Sequence, residues 1–300
     1  MQVFKKKQNR GLGASIFIWI IGIFLTIYAI SLLIPLFWAL INSLKSYGQF
    51  RKDPLFFPKD EWHWENYKLA FFYFHVIIPY DGGQKVVYLA EMFFNSFMYS
   101  GLGAVISAFV PMFAAYLAVI YKNWLSKLAT TIVIVTMVLP IYGGGGAYIV
   151  LLQKLNLYDN FFAYIMATTC SYTGMTYLIW LSLFKASVKE YSEAAKVDGA
   201  GELRIMFQIQ FPLSAKMYMT FALLGFIGRW EDYMTTMLYL PSNPTVAYGL
   251  FEYCGSLATA TSSVPMRLCG CMLMLVPLFV LFLCFHKRLI GNIAFGGLKG

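Results

Sequence analysis

Of the 300 residues, 59% are hydrophobic and only 12% are charged, and the mean hydropathy is +0.64. Soluble domains carry about 25% charged residues, so this balance excludes an ordinary soluble domain and demands a lipid environment. The net charge of +9 comes without a basic stripe interleaved with aromatics outside the apolar stretches, which excludes nucleic acid as a partner and leaves membrane topology and anionic headgroups as its meaning.

In chain order, a basic tail (1–15, with Lys5, Lys6, Lys7 and Arg10) precedes a first apolar stretch at 16–41. A signal-peptide core runs only about 7–15 apolar residues and ends in a small-x-small exit, and neither feature is met before Lys45, so this stretch is read as a retained helix. Five more stretches of spanning length follow at 93–120, 125–148, 161–184, 217–240 and 265–285. About 20 apolar residues cross a hydrocarbon core of about 30 Å, and helices satisfy their own backbone there. Long alternating strands are absent, so a barrel is not expected. The whole is expected to be an all-α, polytopic membrane protein with one six-helix domain over 16–285.

An even number of spans puts both tails on one side. The N-terminal tail, the short loop with Lys122 and Lys127, the loop from Lys185 to Lys216 and the C-terminal tail (286–300) hold 14 of the 23 basic residues and 4 of the 14 acidic ones. These segments are therefore expected to be cytoplasmic. The opposite segments are 42–92, where six basic residues meet six acidic ones, and 241–264, which has no basic residue.

Chemistry-bearing motifs are few. The run Gly143 to Gly146 after Leu139-Pro140 lacks a following Gly-Lys-Ser/Thr, so it is no phosphate loop; it suits irregular backbone beside a cavity, or a plain connection. Cys170, Cys269, Cys271 and Cys284 fall in spans, and Cys254 stands alone in an outer loop. With His63, His75 and His286 scattered and no HExxH or CxxC spacing, a metal enzyme has no support. Arg229, Glu231 and Asp232 near the outer end of the fifth span line a cavity, face a subunit interface or snorkel. Trp230 and Tyr233 beside them stack on a solute or belong to an interfacial aromatic belt.

The polar loop 186–216 stands out. Ser192 suits an N-cap, Glu193 the positive end of a helix dipole, and Gly199 a left-handed stop, which predicts a two-turn helix over 192–198. A second helix over 201–210, with Leu203, Met206, Phe207 and Gln210 along one side, is expected to end at Pro212. Ala194 and Ala195 permit close approach, with Glu193, Lys196 and Asp198 at the rim. So short a helix is unstable alone, so either a neighbouring protein holds it or it lies on the membrane surface as a linker.

Glu193-Ala194-Ala195, then Gly199, Ile209 and Phe211-Pro212-Leu213, resembles the EAA loop of the permease subunits of ABC importers. Nearly the whole chain is similar to the carbohydrate, maltose-permease-like branch. The resemblance extends through Ser43-Leu44-Lys45, Asn66-Tyr67, Phe94-Asn95-Ser96, Leu139-Pro140 with Tyr148, Trp230-Glu231-Asp232-Tyr233 and Gly296-Gly297-Leu298-Lys299-Gly300. It implies the type I importer permease fold. It also implies a coupling helix on an ATPase formed by Glu193, Ala194, Ala195, Asp198, Gly199 and Ala200, with Glu193 a docking contact and Asp198 and Gly199 structural within the loop, and a tail whose Gly297, Lys299 and Gly300 reach that ATPase. The segment 241–264 corresponds to one that meets the binding protein, which implicates Asn243, Thr245, Tyr248 and Glu252. Arg229, Trp230, Glu231, Asp232 and Tyr233 are the candidates for a pathway or gate.

The implied partners are a second, homologous permease, two ATP-binding subunits, an extracytoplasmic substrate-binding protein and the bilayer. The chain itself holds no cofactor and is no enzyme, since ATP and Mg belong to the ATPase subunits. The expected location is the cell membrane, with both termini cytoplasmic and a sugar or oligosaccharide as solute. The alternatives are a polyol, glycerophosphate or peptide for the same class of importer, or an ion-coupled secondary transporter, against which the near absence of acidic residues in four spans argues. Two departures from the family stand out: Lys216 where a proline is common, and a longer stretch at 76–92, which either adds contacts to an outer partner or is a passive insertion.

Overall fold

The computed structural model describes residues 12–59, 61–80, 82–139, 145–168, 174–256 and 262–293. Helix α1 (Leu12–Ser43) is 32 residues long, hence about 48 Å. It is apolar around its whole circumference and exposed along nearly all of it, as a helix is whose neighbours are lipid or another subunit. Only its last turn is packed. There Asn66 donates from Nδ2 to the carbonyls of Ser43 and Lys45 (2.9 Å each), Ser43 and Tyr67 share a 2.7 Å hydrogen bond, and Lys45 donates from Nζ to the Asp53 carbonyl at 2.7 Å. Burial pulls the Lys45 ammonium below its usual range, and Asp53 opposes that shift.

Helix α2 (Tyr47–Lys52) starts at a capping box, Ser46 with Gln49, and α3 (Glu65–Tyr73) follows. Strands β1 (His75–Tyr80) and β2 (Gly83–Tyr88) form an antiparallel hairpin in which Ile77 faces Val86. Sequence pattern alone does not anticipate this hairpin. Val76, Ile78 and Val87 are buried with Phe74, Met92, Tyr253 and Cys269 in one core, so the stretch is an integral wall of the fold.

Helix α4 (Leu89–Ile120) is the central post. Its buried positions include Ser100, Gly103, Ala104, Ala108 and Ala115, small residues that let neighbours approach. Against them lie α8 (Gly174–Val197) and α10 (Phe211–Trp230), and a Cβ built on Gly225 would sit 3.6 Å from the Ala104 Cα. Between them in sequence are α5 (Trp124–Val138), capped by Asn123, then α6 (Gly145–Lys154) and α7 (Phe161–Thr168). The chain ends with α9 (Glu202–Ile205), a π-helical turn (Met206–Gln210) leading into α10, then α11 (Tyr233–Tyr239), α12 (Val246–Gly255) and α13 (Val264–Ile293).

Among the described residues, four stretches are long and apolar enough to cross a membrane: Ile16–Ser43, Leu89–Ile120, Glu202–Trp230 and Val264–Phe285. The expected span at 125–148 is interrupted where α5 ends at Val138, and that at 161–184 is helical at Phe161–Thr168 and again from Gly174. The expected fifth span, 217–240, is displaced: continuous helical structure begins at Glu202 and breaks after Trp230. Pro212 ends nothing. It lies within the continuous helix, in the first turn of α10, immediately after a π-turn that shifts the hydrogen-bond register and so accommodates a residue without an N–H.

Candidate functional site

The polar loop closes on a defined backbone motif. The separate two-turn helix expected over 192–198 does not exist, because α8 runs unbroken from Gly174 through Val197. Its stop is where the sequence puts it. Gly199 adopts φ +77°, its N–H donates to the Lys196 carbonyl, and the Ala200 N–H donates to Ala195, both at 3.0 Å. This 5→2 and 6→1 pair is the Schellman arrangement, which satisfies two terminal carbonyls. Lys196 then ion-pairs with Glu202 at 2.5 Å across the turn, tying α8 to α9.

What the turn presents is mixed, with Lys196, Arg204 and Gln208 exposed beside three large apolar residues. Val197 is 88% exposed, Leu203 62% and Phe207 49%, with Asp198 exposed among them. Met206 and Gln210, expected on the same side as Leu203 and Phe207, are instead buried. The register of α9 and the π-turn therefore divides the four residues: one pair anchors the loop, the other is offered outward. Ala195 is buried, while the side chains of Glu193 and Ala194 lie outside the described ones.

Helix α4 measures how far this end is from the next feature. Near its C-terminal end, the Tyr116 hydroxyl donates to the Glu202 carbonyl at 3.2 Å. Near its N-terminal end, the Ser96 hydroxyl accepts from the Val246 N–H at 2.7 Å, and Asn95 donates to the Pro244 carbonyl at 3.1 Å. Twenty residues of helix separate Ser96 from Tyr116, about 30 Å, which is one hydrocarbon thickness. The turn after α8 and the start of α12 thus lie at opposite ends of one membrane-length helix.

Between those ends, Arg229 is only 5% exposed. Its guanidinium lies 5.7 Å over the Tyr99 ring, and its side chain occupies the space where a Cβ on Gly103 would be, 2.8 Å away. With Ser107, Thr176, Phe221 and Gly228 it lines a cavity of about 380 Å³ between α4, α8 and α10.

Residues 107–293 match the family described as the binding-protein-dependent transport system inner membrane component. The chain belongs to this family. The permease is 25% identical over 296 residues to the probable ABC transporter permease protein YurM of Bacillus subtilis (strain 168), covering 94% of this chain and 90% of that one. It is 23% identical over 284 residues to the melibiose/raffinose/stachyose import permease protein MelC of the same strain, covering 94% and 96%. A solved bacterial ABC transporter involved in the import of the acidic polysaccharide alginate has the same fold. Its TM-score is 0.74 at 19% identity, over 93% of this chain and 98% of that one.

The remaining candidates in the permease divide by burial. Trp230 is 1% exposed, donates from Nε1 to the Met274 carbonyl at 3.3 Å and is packed by Phe93, Phe97 and Phe226, so it holds helices together. Asp232 caps α11 by accepting from the Thr235 N–H, Glu231 is exposed, and Tyr233 stacks on Phe251 with centroids 4.7 Å apart. Thr245 is buried as the N-cap of α12 and bonds Thr236. Asn243 is half-buried. Tyr248 and Glu252, one turn apart, line a groove of about 510 Å³ together with His75 and Ile77 of the hairpin. Burial, and second the Glu252 carboxylate, hold the Tyr248 phenol above its usual range.

Sequence spacing misses the hairpin's share of that groove and the Gly103–Arg229 pairing. Cys254 is not alone either: its thiol is in hydrogen-bonding contact with that of Cys271, and this bond, then burial, push it up. Pro140, Gly143, Gly144, Cys170 and the tail residues Gly297, Lys299 and Gly300 lie outside the described residues.

Proposed function

We propose that the chain is the membrane permease subunit of an ATP-driven, binding-protein-dependent importer for a sugar or oligosaccharide, coupled through the turn at 193–200 to a separate ATPase. The observation that carries this reading is the separation along α4. An exposed turn that offers Val197, Leu203 and Phe207 among charged residues, with a Schellman stop, sits at one end of a membrane-length helix, and an open groove sits at the other. Relatives named for sugar import supply the solute class.

In this reading six crossings are made by α1, α4, α5 with α6, α7 with α8, α9 through α10, and α13. Both termini and the turn are cytoplasmic, as the distribution of lysine and arginine favours. Nucleotide closes two ATPase subunits, which hold ATP and Mg; the turn after α8 is pulled with them, and α8 transmits the displacement to α4 and α10 against which it packs. The cavity beside Arg229 is part of the pathway that changes its access. The groove of Tyr248 and Glu252 receives the substrate-binding protein, with Asn243 at its edge. A second permease completes the path, since one chain encloses only part of it. Ligand and energy source then act at opposite faces.

The test is reconstitution in proteoliposomes with candidate ATPase and binding protein. The expected result is sugar uptake that needs both and stops without ATP. Uptake driven by an ion gradient alone would refute it, and a binding protein that holds a polyol, glycerophosphate or peptide would replace the solute class while leaving the mechanism.

A further inference from the structure

At the junction of α4, α5 and α8 lies a cavity of about 440 Å³ whose lining includes three exposed lysines: Lys122 from the connection before α5, Lys127 from its first turn and Lys185 from α8. None pairs with a carboxylate among the described residues, whose ion pairs are Lys59 with Asp53, Lys85 with Glu91 and Lys196 with Glu202. Two of the three stand at the N-terminal end of α5, where the helix dipole already places positive partial charge. Three cations lining one cavity favour an anion there.

The surroundings define which anion. Ala118, Val119 and Leu181 make the floor apolar, while Ser126, Thr130 and Thr131 give it a hydroxyl edge. Beside it Trp124 is exposed, a side chain suited to the headgroup level of a bilayer. Along the face of α5 that carries Lys127 and Thr131, the next residues are Ile134 and Val138, both exposed, and α5 has no buried residue at all. A charged cup thus opens at the end of an uncovered apolar track. A free phosphate would use only the cup; an anionic phospholipid uses both.

We propose that this cavity is a binding site for an anionic phospholipid, the three ammonium groups holding the headgroup phosphate and an acyl chain lying along Ile134 and Val138. Occupancy pins the start of α5 to α8 close to the coupling turn, and it does so whatever solute the protein carries.

The experiment uses the full chain with the subunits that co-purify, extracted in mild detergent and exposed to phosphatidylglycerol or phosphatidylcholine, with bound lipid counted by native mass spectrometry. Phosphatidylglycerol is expected to be retained over phosphatidylcholine. The triple change Lys122→Gln, Lys127→Gln, Lys185→Gln is expected to weaken retention roughly a hundredfold, given what each lysine contributes at an anionic surface. The corresponding triple arginine variant keeps it. Should the triple glutamine variant fail to extract intact, Lys127→Gln alone carries the test, with a several-fold loss. Undiminished retention in the glutamine variants overturns the proposal. So does displacement of the lipid by millimolar inorganic phosphate, which assigns the cup to a free anion, or crosslinking of the lysines to a co-eluting subunit, which assigns it to a protein.

Discussion

Replacing Gly199 by valine separates the backbone of the turn after α8, proposed to couple to the ATPase, from its surroundings. A Cβ at this position meets nothing within 4 Å, so no clash contributes, and the whole penalty arises from φ +77°. For an L-residue the left-handed region costs about 1–2 kcal/mol, and β-branching adds to it. The two hydrogen bonds that depend on this geometry, from Gly199 to Lys196 and from Ala200 to Ala195, are worth about 1 kcal/mol each when formed. Valine therefore lowers the population of the closed turn about tenfold or more, while the membrane portion, remote from the change, is untouched. Asparagine tolerates the region better than alanine, and alanine better than valine. Coupled uptake is expected to fall in the order Gly, Asn, Ala, Val. The assay is uptake and ATPase activity in proteoliposomes, with insertion and thermal stability measured in parallel. Normal uptake by Gly199→Val, or a loss equally severe in Gly199→Asn, would refute the argument from backbone conformation.

Gly103→Leu should displace Arg229 from its seat over Tyr99 and impair transport with little loss of ATPase assembly; unchanged uptake kinetics would show that the arginine does not need that position. Trp230→Ala should lower thermal stability by on the order of 3 kcal/mol, since the indole is enclosed by three aromatic rings, and solute preference should stay the same; a changed preference with unchanged melting would reverse the assignment. Gly249→Val should disorder the groove of Tyr248 and Glu252, because even a Cβ runs into the Met92 sulfur and meets the Phe74 ring at 2.9 Å; it should abolish the proposed binding-protein docking, read by pull-down, while leaving the turn at Gly199 intact.

Membrane character, the sequence of apolar and polar segments, and the left-handed stop at Gly199 were all legible without coordinates. Each depends on a local property: mean hydropathy, charge placement, or the freedom of one glycine. The resemblance of residues 193–213 to a coupling loop was equally local. Whether α8 would pause at Ser192 was not, because a good N-cap residue is only permitted, never obliged, to start a helix, and the segment from Gly174 continues through it. Pro212 misled for a related reason: a proline marks a boundary, and only the π-turn before it makes that boundary the beginning of α10.

Packing was hidden for a different reason. Helices destined for lipid are apolar on every side, so no amphipathic stripe marks the face that meets a neighbour, as α1 and α4 both illustrate. The sequence by itself determined that this chain lives in a membrane, where its polar turn falls and how that turn stops. The tertiary structure alone decided that Gly103 makes room for Arg229, that a hairpin walls the groove of Tyr248 and Glu252 and that three lysines line one cavity. Lys185 lies about sixty positions from the other two lysines and Arg229 more than a hundred from Gly103, and nothing in the spacing of either partner encodes the other.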